Sequence, residues 1–295
     1  MVDVTPEVCC ETAADQVADV AGQSREWVDG MLIHRQGSLQ DSNMTAIGLH
    51  RMVKSGEAYQ VSARHGLVPV EHHGEALDLE LEAISHAHNN PPEHVVISAI
   101  WDTGVVVDGG QENVLGDNVV FQIQTQATEI AIPVLEATPL HLGYYGAVLV
   151  DEGAVVRFPN QAYPIWKLSL GQRYIDGFIM TPQGQGFYLE YHHDRPHWHQ
   201  PLTEDSGGYY ILAKEVGSDA DGHTQYHVTG FHIPYGKAVY TRQGAIHCDA
   251  ALTGQNWLVG YTDSEDFSTA LVRNANGDWV KLSASALRPD RGWHP

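Results

Sequence analysis

The sequence predicts a mainly β protein with a helical region at its N-terminus. From about residue 94 onward, short runs rich in β-branched and aromatic residues recur, and glycine, asparagine and aspartate turns separate them. Before about residue 60, the apolar residues instead keep near-helical spacing. Short strands at close intervals are typical of a sandwich or a barrel. The expected fold is therefore a β-barrel or sandwich preceded by helices.

The N-terminal helical region is predicted to cover residues 1–60 and to contain three helices. The first opens at Thr5-Pro6, which supplies an N-cap and a proline at the first helical position. A second begins near Ser24, and a third runs from about Asn43 to Lys54, before a glycine that can end it. We expect these helices to pack on the barrel or on a partner subunit.

The strands that follow leave two arrangements open. They are expected near residues 94–101, 119–124, 130–135, 145–150, 154–158, 186–192, 208–213, 225–232, 237–241 and 256–261, with a last pair at 270–273 and 279–282. In one arrangement, residues 61–150 form a degenerate first barrel. In the other, they are a β-rich elaboration of a single barrel formed by residues 151–295. The second arrangement is favoured, although the number of strands slightly exceeds that of one barrel.

Composition excludes several classes of protein. With 295 residues and 43% hydrophobic content, the chain is long enough to bury a substantial core. The net charge of −21 argues against nucleic acid as a partner, because phosphate backbones are bound through basic patches. No apolar run is long enough to span a membrane, and the first residues lack the pattern of a secretory signal, so a cytoplasmic location is expected. Three cysteines do not make a disulfide framework.

The most informative motif is His197-Trp198-His199, followed by Glu204 and, some forty residues later, by His247. Neutral imidazoles together with one carboxylate suit a divalent transition metal such as iron, zinc, manganese or nickel. Alternate residues of a strand share a face, so His197 and His199 would point the same way. The sequence therefore predicts a metal site with His197, His199, Glu204 and His247 as ligands.

These residues resemble the motifs of the cupin superfamily. The first motif, His-x-His-x4-Glu, is matched by residues 197–204, and the second is matched by Gly236, Gly244 and His247 at the required offsets. Arg242 stands where that family usually has proline. The resemblance covers roughly residues 180 to 262.

The resemblance implies a double-stranded β-helix, that is, a cupin or jelly-roll barrel, with the metal bound inside it and with a homodimer as the assembly. Asp205, beside Glu204, is an alternative acidic ligand. The run from His197 through Gly208 is also similar to the corresponding segment of cupin sugar isomerases. In those proteins, the metal binds adjacent sugar oxygens while a proton moves between carbons.

A second His-x-His-x4-Glu set occurs at His86, His88 and Glu93. Two prolines, Pro91 and Pro92, interrupt it, and proline removes the donor that a regular ladder needs. The later set is therefore the favoured metal site.

Three residues near the motif are candidates for catalysis. Arg242 could clamp a carboxylate or phosphate if its side chain turns inward, and is a solvated charge if it turns outward. Tyr191 could supply a phenolic acid or a stacking wall, although aromatic residues on barrel strands usually belong to the core. His193 could orient a ligand or shuttle a proton, or could simply pack at the surface. Glu190 and Lys214 are weaker candidates for an acid or a base.

Three functions are consistent with this site. The favoured one is a metalloenzyme of the isomerase or lyase kind that uses the ion as a Lewis acid on a small, oxygen-rich substrate. An Fe(II)-dependent dioxygenase would use the same ligands. A non-catalytic barrel that binds a small molecule is the third. Each takes a small molecule as its partner.

Overall fold

The computed structural model describes residues 35–71, 76–104, 119–159, 163–260, 264 and 266–285. Within these residues the protein is mainly β, as predicted. The strands are β1 (Met44–Val53), β2 (Ala58–Ser62), β3 (Gly66–Val70), β4 (Leu77–Asp78), β5 (Val95–Asp102), β6 (Val119–Ile123), β7 (Glu129–Ile132), β8 (Val134–Glu136), β9 (Ala147–Asp151), β10 (Val155–Arg157), β11 (Tyr163–Leu170), β12 (Tyr188–His192), β13 (His197–Pro201), β14 (Gly207–Gly208), β15 (Tyr210–Ser218), β16 (Thr224–His232), β17 (Lys237–Thr241), β18 (Ile246–Cys248), β19 (Leu252–Val259), β20 (Phe267–Arg273) and β21 (Lys281–Ala284). The helices are α1 (Leu79–Ser85), α2 (Pro139–Tyr144) and a π-helical turn (Ile175–Ile179).

Seven of these strands close into a barrel. The order β15-β18-β12-β20-β6-β5-β16 returns to its start because β16 also pairs with β15. The barrel is mixed, since β20 and β6 run parallel while its other neighbours are antiparallel. Closure gives each strand of the ring a hydrogen-bonded neighbour on both sides.

A second sheet, with the order β1-β11-β19-β13-β17-β9, packs against the barrel, and β14 is attached to β19. Its two faces are covered by different cores. One face shares a core with the barrel. This core includes Trp166 and Trp257 of the sheet and Leu189 and Ile211 of the barrel. The other face packs under a small sheet, β3-β2-β10-β4, and under α1. Because this middle sheet is buried on both sides, its central strand β13 has no exposed residue.

The third predicted helix, from Asn43 to Lys54, is wrong. The structure has strand β1 there, paired with β11 over its whole length. Met44 and Ala46 face inward while Thr45 and Ile47 are exposed, which is the alternation of a strand with one buried face. Methionine, alanine and leucine favour helices, but intrinsic propensity is a small energy per residue, and pairing with a long neighbouring strand overrides it.

The predicted helices near Thr5 and Ser24 lie outside the described residues. Most of the strands predicted from residue 94 onward are confirmed, and β17 has the predicted limits. Strands of residues 61–150 and 151–295 pair with one another, as β9 does with β17 and β5 with β16. In the described part of the chain, no helix has the length and apolar composition needed to cross a bilayer.

Candidate metal centre

Strand β13 carries the His-x-His motif between two cores. Trp198 points away from the barrel, into the core that the middle sheet shares with the small sheet. The alternate residues His197 and His199 must then face the barrel, and both are buried. The sequence motif therefore places two imidazoles on the inner surface of this sheet, as predicted.

Three histidines from three different strands meet at this surface. His192 ends β12, His197 begins β13, and His247 is the middle residue of β18. One ligand nitrogen from each lies within 4.8 Å of the other two, so the three could hold one metal ion. The ring centroids of His192 and His247 each lie 4.3 Å from that of His197. The cluster joins two strands of the barrel to one strand of the facing sheet.

The hydrogen bonds of these imidazoles leave nitrogens without a partner. The Nδ1 of His247 lies 3.0 Å from the carbonyl oxygen of Ala245. As the donor of that bond, Nδ1 leaves the Nε2 lone pair of His247 for another use. Among the described residues, no hydrogen-bond partner exists for Nε2 of His192, Nδ1 of His197 or Nε2 of His247, although all three atoms are buried. Buried polar atoms are rarely left unpaired unless an ion or water completes them.

A carboxylate stands beside the three imidazoles. Glu190, two residues before His192, shares its face of β12. Its Oε1 lies 3.6 Å from Nε2 of His247, and its Oε2 lies 3.8 Å from Nε2 of His192. Both distances are longer than a hydrogen bond, and a cation between these atoms would bridge them. Glu190 is thus the nearest available anion for a metal at this cluster.

Burial and mutual proximity favour the neutral form of His197 and His247. Burial lowers the pKa of His247 to about 4, and the attraction of Glu190 offsets only part of that effect. Burial also lowers the pKa of His197 well below its ordinary value, and the neighbouring His192 and His247 lower it further. Burial acts to raise the pKa of Glu190, but its interactions with the nearby His192 and His247 outweigh this and lower it. Neutral imidazoles and an ionised carboxylate are the forms that bind metals.

His199 belongs to an adjoining network rather than to the three-histidine cluster. Its Nε2 lies 3.7 Å from Oδ2 of Asp249, whose Oδ1 accepts a hydrogen bond from the hydroxyl of Tyr188. Burial opposes ionisation of Asp249, but its interaction with the nearby His199 and the charge of Arg35 lower the pKa of that carboxyl overall. The ring of His199 lies 5.8 Å from that of His197 and 4.4 Å from that of Tyr210. A buried histidine–aspartate pair therefore adjoins the candidate ligands.

Glu204, predicted as the acidic ligand, is not brought to this cluster. The chain leaves β13 after Pro201 and turns, so that Glu204 and the alternative Asp205 are both exposed. The carboxylate beside the histidines is Glu190, and the third imidazole of the cluster is His192 rather than His199. The residue spacing of the motif thus agrees with the resemblance at His197 and His247, while two of its four predicted ligands lie elsewhere.

The signal for His192 and Glu190 was present in the sequence. In a strand over residues 188–192, Glu190 and His192 fall on one face, while Leu189 and Tyr191 fall on the other. His193 follows directly and Pro196 separates this strand from the motif, so the alternation alone does not place His192 beside His197. Two strands joined by a short turn can also belong to facing sheets, as β12 and β13 do.

The predicted catalytic residues Tyr191, His193 and Arg242 come together at a different place. All three line a cavity of about 680 Å³ at the rim of the barrel. Tyr191 and His193 are in ring contact, with centroids 4.8 Å apart. None of the residues of the three-histidine cluster lines this cavity.

Other metal-ligand groupings are weaker. Asp219, Asp221 and His223 approach one another in the turn between β15 and β16, where Asp221 is exposed. Among the described residues, His86, His88 and Glu93 form no such group. The three-histidine cluster is the only buried group of this kind in the described part of the chain.

Comparison of the chain with protein-family models, with curated proteins and with solved structures finds no match.

Proposed function

We propose that the protein is a metal-dependent enzyme that binds one divalent transition metal through His192, His197 and His247, with Glu190 as its anionic ligand. We further propose isomerase or lyase chemistry on a small, oxygen-rich substrate. The observation that carries the proposal is that one ligand nitrogen from each of three buried imidazoles lies within 4.8 Å of the other two. Each of these rings also has a buried nitrogen with no hydrogen-bond partner among the described residues.

The surroundings of the cluster support a catalytic ion. A closed seven-stranded barrel with a histidine cluster is compatible with a cupin-like jelly roll. Glu190 and His192 keep 9% and 8% of their surface exposed, more than His197 or His247. A small ligand would therefore approach the ion from the side of Glu190 and His192. Three imidazoles and one carboxylate leave further coordination positions for such a ligand.

The groups beside the cluster favour proton transfer. When bound, a divalent ion would polarise a carbonyl or hydroxyl oxygen of the substrate. His199, whose Nε2 lies 3.7 Å from Oδ2 of Asp249, would accept or return a proton at its ring nitrogen beside that carboxylate. The hydroxyl of Tyr210 lies 3.0 Å from that of Thr241, which fixes the ring against His199. This pairing of an ion with a buried acid–base group supports isomerase or lyase chemistry over oxygen chemistry.

The metal site is tested by comparing variants of His192 and His193, which are adjacent in the chain and point in opposite directions. We expect one equivalent of metal in the wild-type protein by elemental analysis, and less than a tenth of that in His192→Ala. His193→Ala is the matched control, since its side chain lines the rim cavity, and it should keep its metal. Equal metal content in both variants would contradict the proposed ligand set.

The reaction class is tested separately. We would incubate the metal-loaded protein in D₂O with a panel of aldoses, ketoses and 2-hydroxy acids, and follow exchange at the carbon beside the carbonyl by proton NMR. Exchange that requires metal and is lost in His199→Ala is the expected result. Oxygen uptake by the iron-loaded protein, without exchange, would instead indicate a dioxygenase. Metal binding with neither activity would indicate a non-catalytic protein.

A further inference from the structure

The rim cavity combines aromatic walls with two cationic side chains. Residues of β5, β12, β15, β16 and β18 line it, together with the end of α2. Its volume, about 680 Å³, falls within the range of small-molecule sites. Ala213 and Ile246, the last pair between β15 and β18, lie in its wall.

The aromatic wall comes from the interior of the barrel. The ring of Trp101 lies 5.1 Å from that of Tyr191, and Tyr226 completes the wall. The indole nitrogen of Trp101 donates a hydrogen bond to Ser268 at 2.9 Å, which fixes the plane of the ring. Such a wall is shaped to stack against a planar apolar group.

The cationic side of the cavity is formed by Arg242 and Lys214. The ammonium of Lys214 lies 4.2 Å above the ring of Tyr144. Burial, followed by the nearby charge of Arg242, lowers the pKa of Lys214, so the two cations are close enough to repel each other. No carboxylate among the described residues forms an ion pair with either cation. Glu215 is the one acidic residue among those that line the cavity, and it is exposed.

Backbone geometry positions the arginine. Gly146 has a φ of +76°, and a Cβ added there would lie 3.0 Å from Cδ of Arg242. The glycine therefore allows the arginine stem to lie against the backbone beside the cavity. Lys214 donates a hydrogen bond to the carbonyl oxygen of His88 at 3.4 Å. In a chain with a net charge of −21, two neighbouring cations with no carboxylate partner among the described residues are unexpected against an aromatic wall unless an anion joins them.

We propose that this cavity binds a small aromatic carboxylate, at a site distinct from the metal centre. The carboxylate would pair with Arg242 and Lys214, and the ring would stack against Trp101 and Tyr191. The two sites adjoin because β12 and β18 serve both. Tyr191 and Ile246 face the cavity, while the next residues, His192 and His247, belong to the histidine cluster.

The proposal is tested by calorimetry on the full chain with benzoate, acetate and benzyl alcohol as probes. We expect benzoate to bind at least tenfold more tightly than acetate, which lacks the ring, or benzyl alcohol, which lacks the charge. Arg242→Gln should weaken benzoate binding at least tenfold, and Lys214→Met should weaken it in the same direction. Lys237→Gln is the matched control, because Lys237 forms a surface ion pair with Asp151 at 2.9 Å.

The measurement is repeated on chelator-treated protein and on His192→Ala, where benzoate binding should persist. Persistence there separates this proposal from the metal proposal, since either can fail alone. The proposal is overturned if benzoate binds no better than the other two probes. It is also overturned if Arg242→Gln binds benzoate as the wild type does while its thermal unfolding midpoint is unchanged, or if Lys237→Gln loses binding equally.

Discussion

Nε2 of His247 lies 3.6 Å from Oε1 of Glu190, across the single backbone pairing that joins β18 to β12. His247 belongs to the motif that indicates a metal site, whereas Glu190 does not, because Glu204 holds the acidic position in that motif. The pair gives a direct way to decide which carboxylate serves the ion.

Glu190→Gln should lower metal affinity about 10- to 100-fold, because the amide keeps the shape of the side chain and removes its charge. Competition with a chromogenic chelator measures this affinity. Glu204→Gln is the control and should bind metal as the wild type does, since Glu204 is exposed in a turn. Weakened binding in the Glu204 variant alone would reverse the assignment.

His199→Ala should retain about one equivalent of metal. The structure groups His192, His197 and His247 through their nitrogens and pairs His199 with Asp249 instead. Elemental analysis of His199→Ala beside His197→Ala, its neighbour on the same face of β13, makes the comparison. Loss of metal from both variants would show that His199 is itself a ligand.

The metal-free protein should lose stability as the pH falls from about 6.5 to about 4. Over this interval the unfolded chain protonates His247, while burial keeps the residue neutral in the folded state, with a pKa of about 4. The unfolded state therefore binds more protons, and the loss from this residue amounts to about 3 kcal/mol at the lower end. Urea unfolding at several pH values measures it. His247→Gln should show a shallower dependence, and an identical slope would contradict the assignment.

Trp198→Ala should lower the free energy of unfolding by about 3–5 kcal/mol, because it empties a large site in a closed core. Trp198 is fully buried, and its ring lies 5.3 Å from that of Phe158. Urea unfolding beside Trp198→Phe provides the comparison. The phenylalanine variant should lose less than half as much, since it keeps the aromatic contact and removes an indole nitrogen that has no partner among the described residues. Equal losses would show that the contact with Phe158 contributes little.

The β class and the position of many strands could be predicted from the sequence, because turn residues mark their limits. Strand β17 is bounded in this way by the turn at Gly236 and by Gly244. Strand β1 could not be predicted from the sequence. Its two methionines and one leucine give no local sign of the long partner β11, which holds the strand extended. The pairing partner of a strand is a long-range property that composition does not encode.

The candidate site, too, could be predicted from the sequence only in part. His197 and His247 could be identified because motif spacing places them on defined strands. The alternation of residues 188–192 shows that Glu190 and His192 share a face, but not that this face meets His197. They come from a strand of the opposite sheet, and a single sequence does not show which strands face each other. The sequence places Arg242 and Tyr191 near the metal motif, but in the structure both line the cavity at the barrel rim.

The alternation along β12 has a consequence for how this chain can vary. Glu190 and His192 point to one side while Tyr191 points to the other, so replacing either kind of residue leaves its neighbour's surroundings intact. Adding or deleting one residue within the strand would exchange the two faces, so that a tyrosine would take the place of a histidine in the cluster. A substitution can thus change the histidine cluster or the rim cavity alone, whereas a change in the length of the strand would disrupt both.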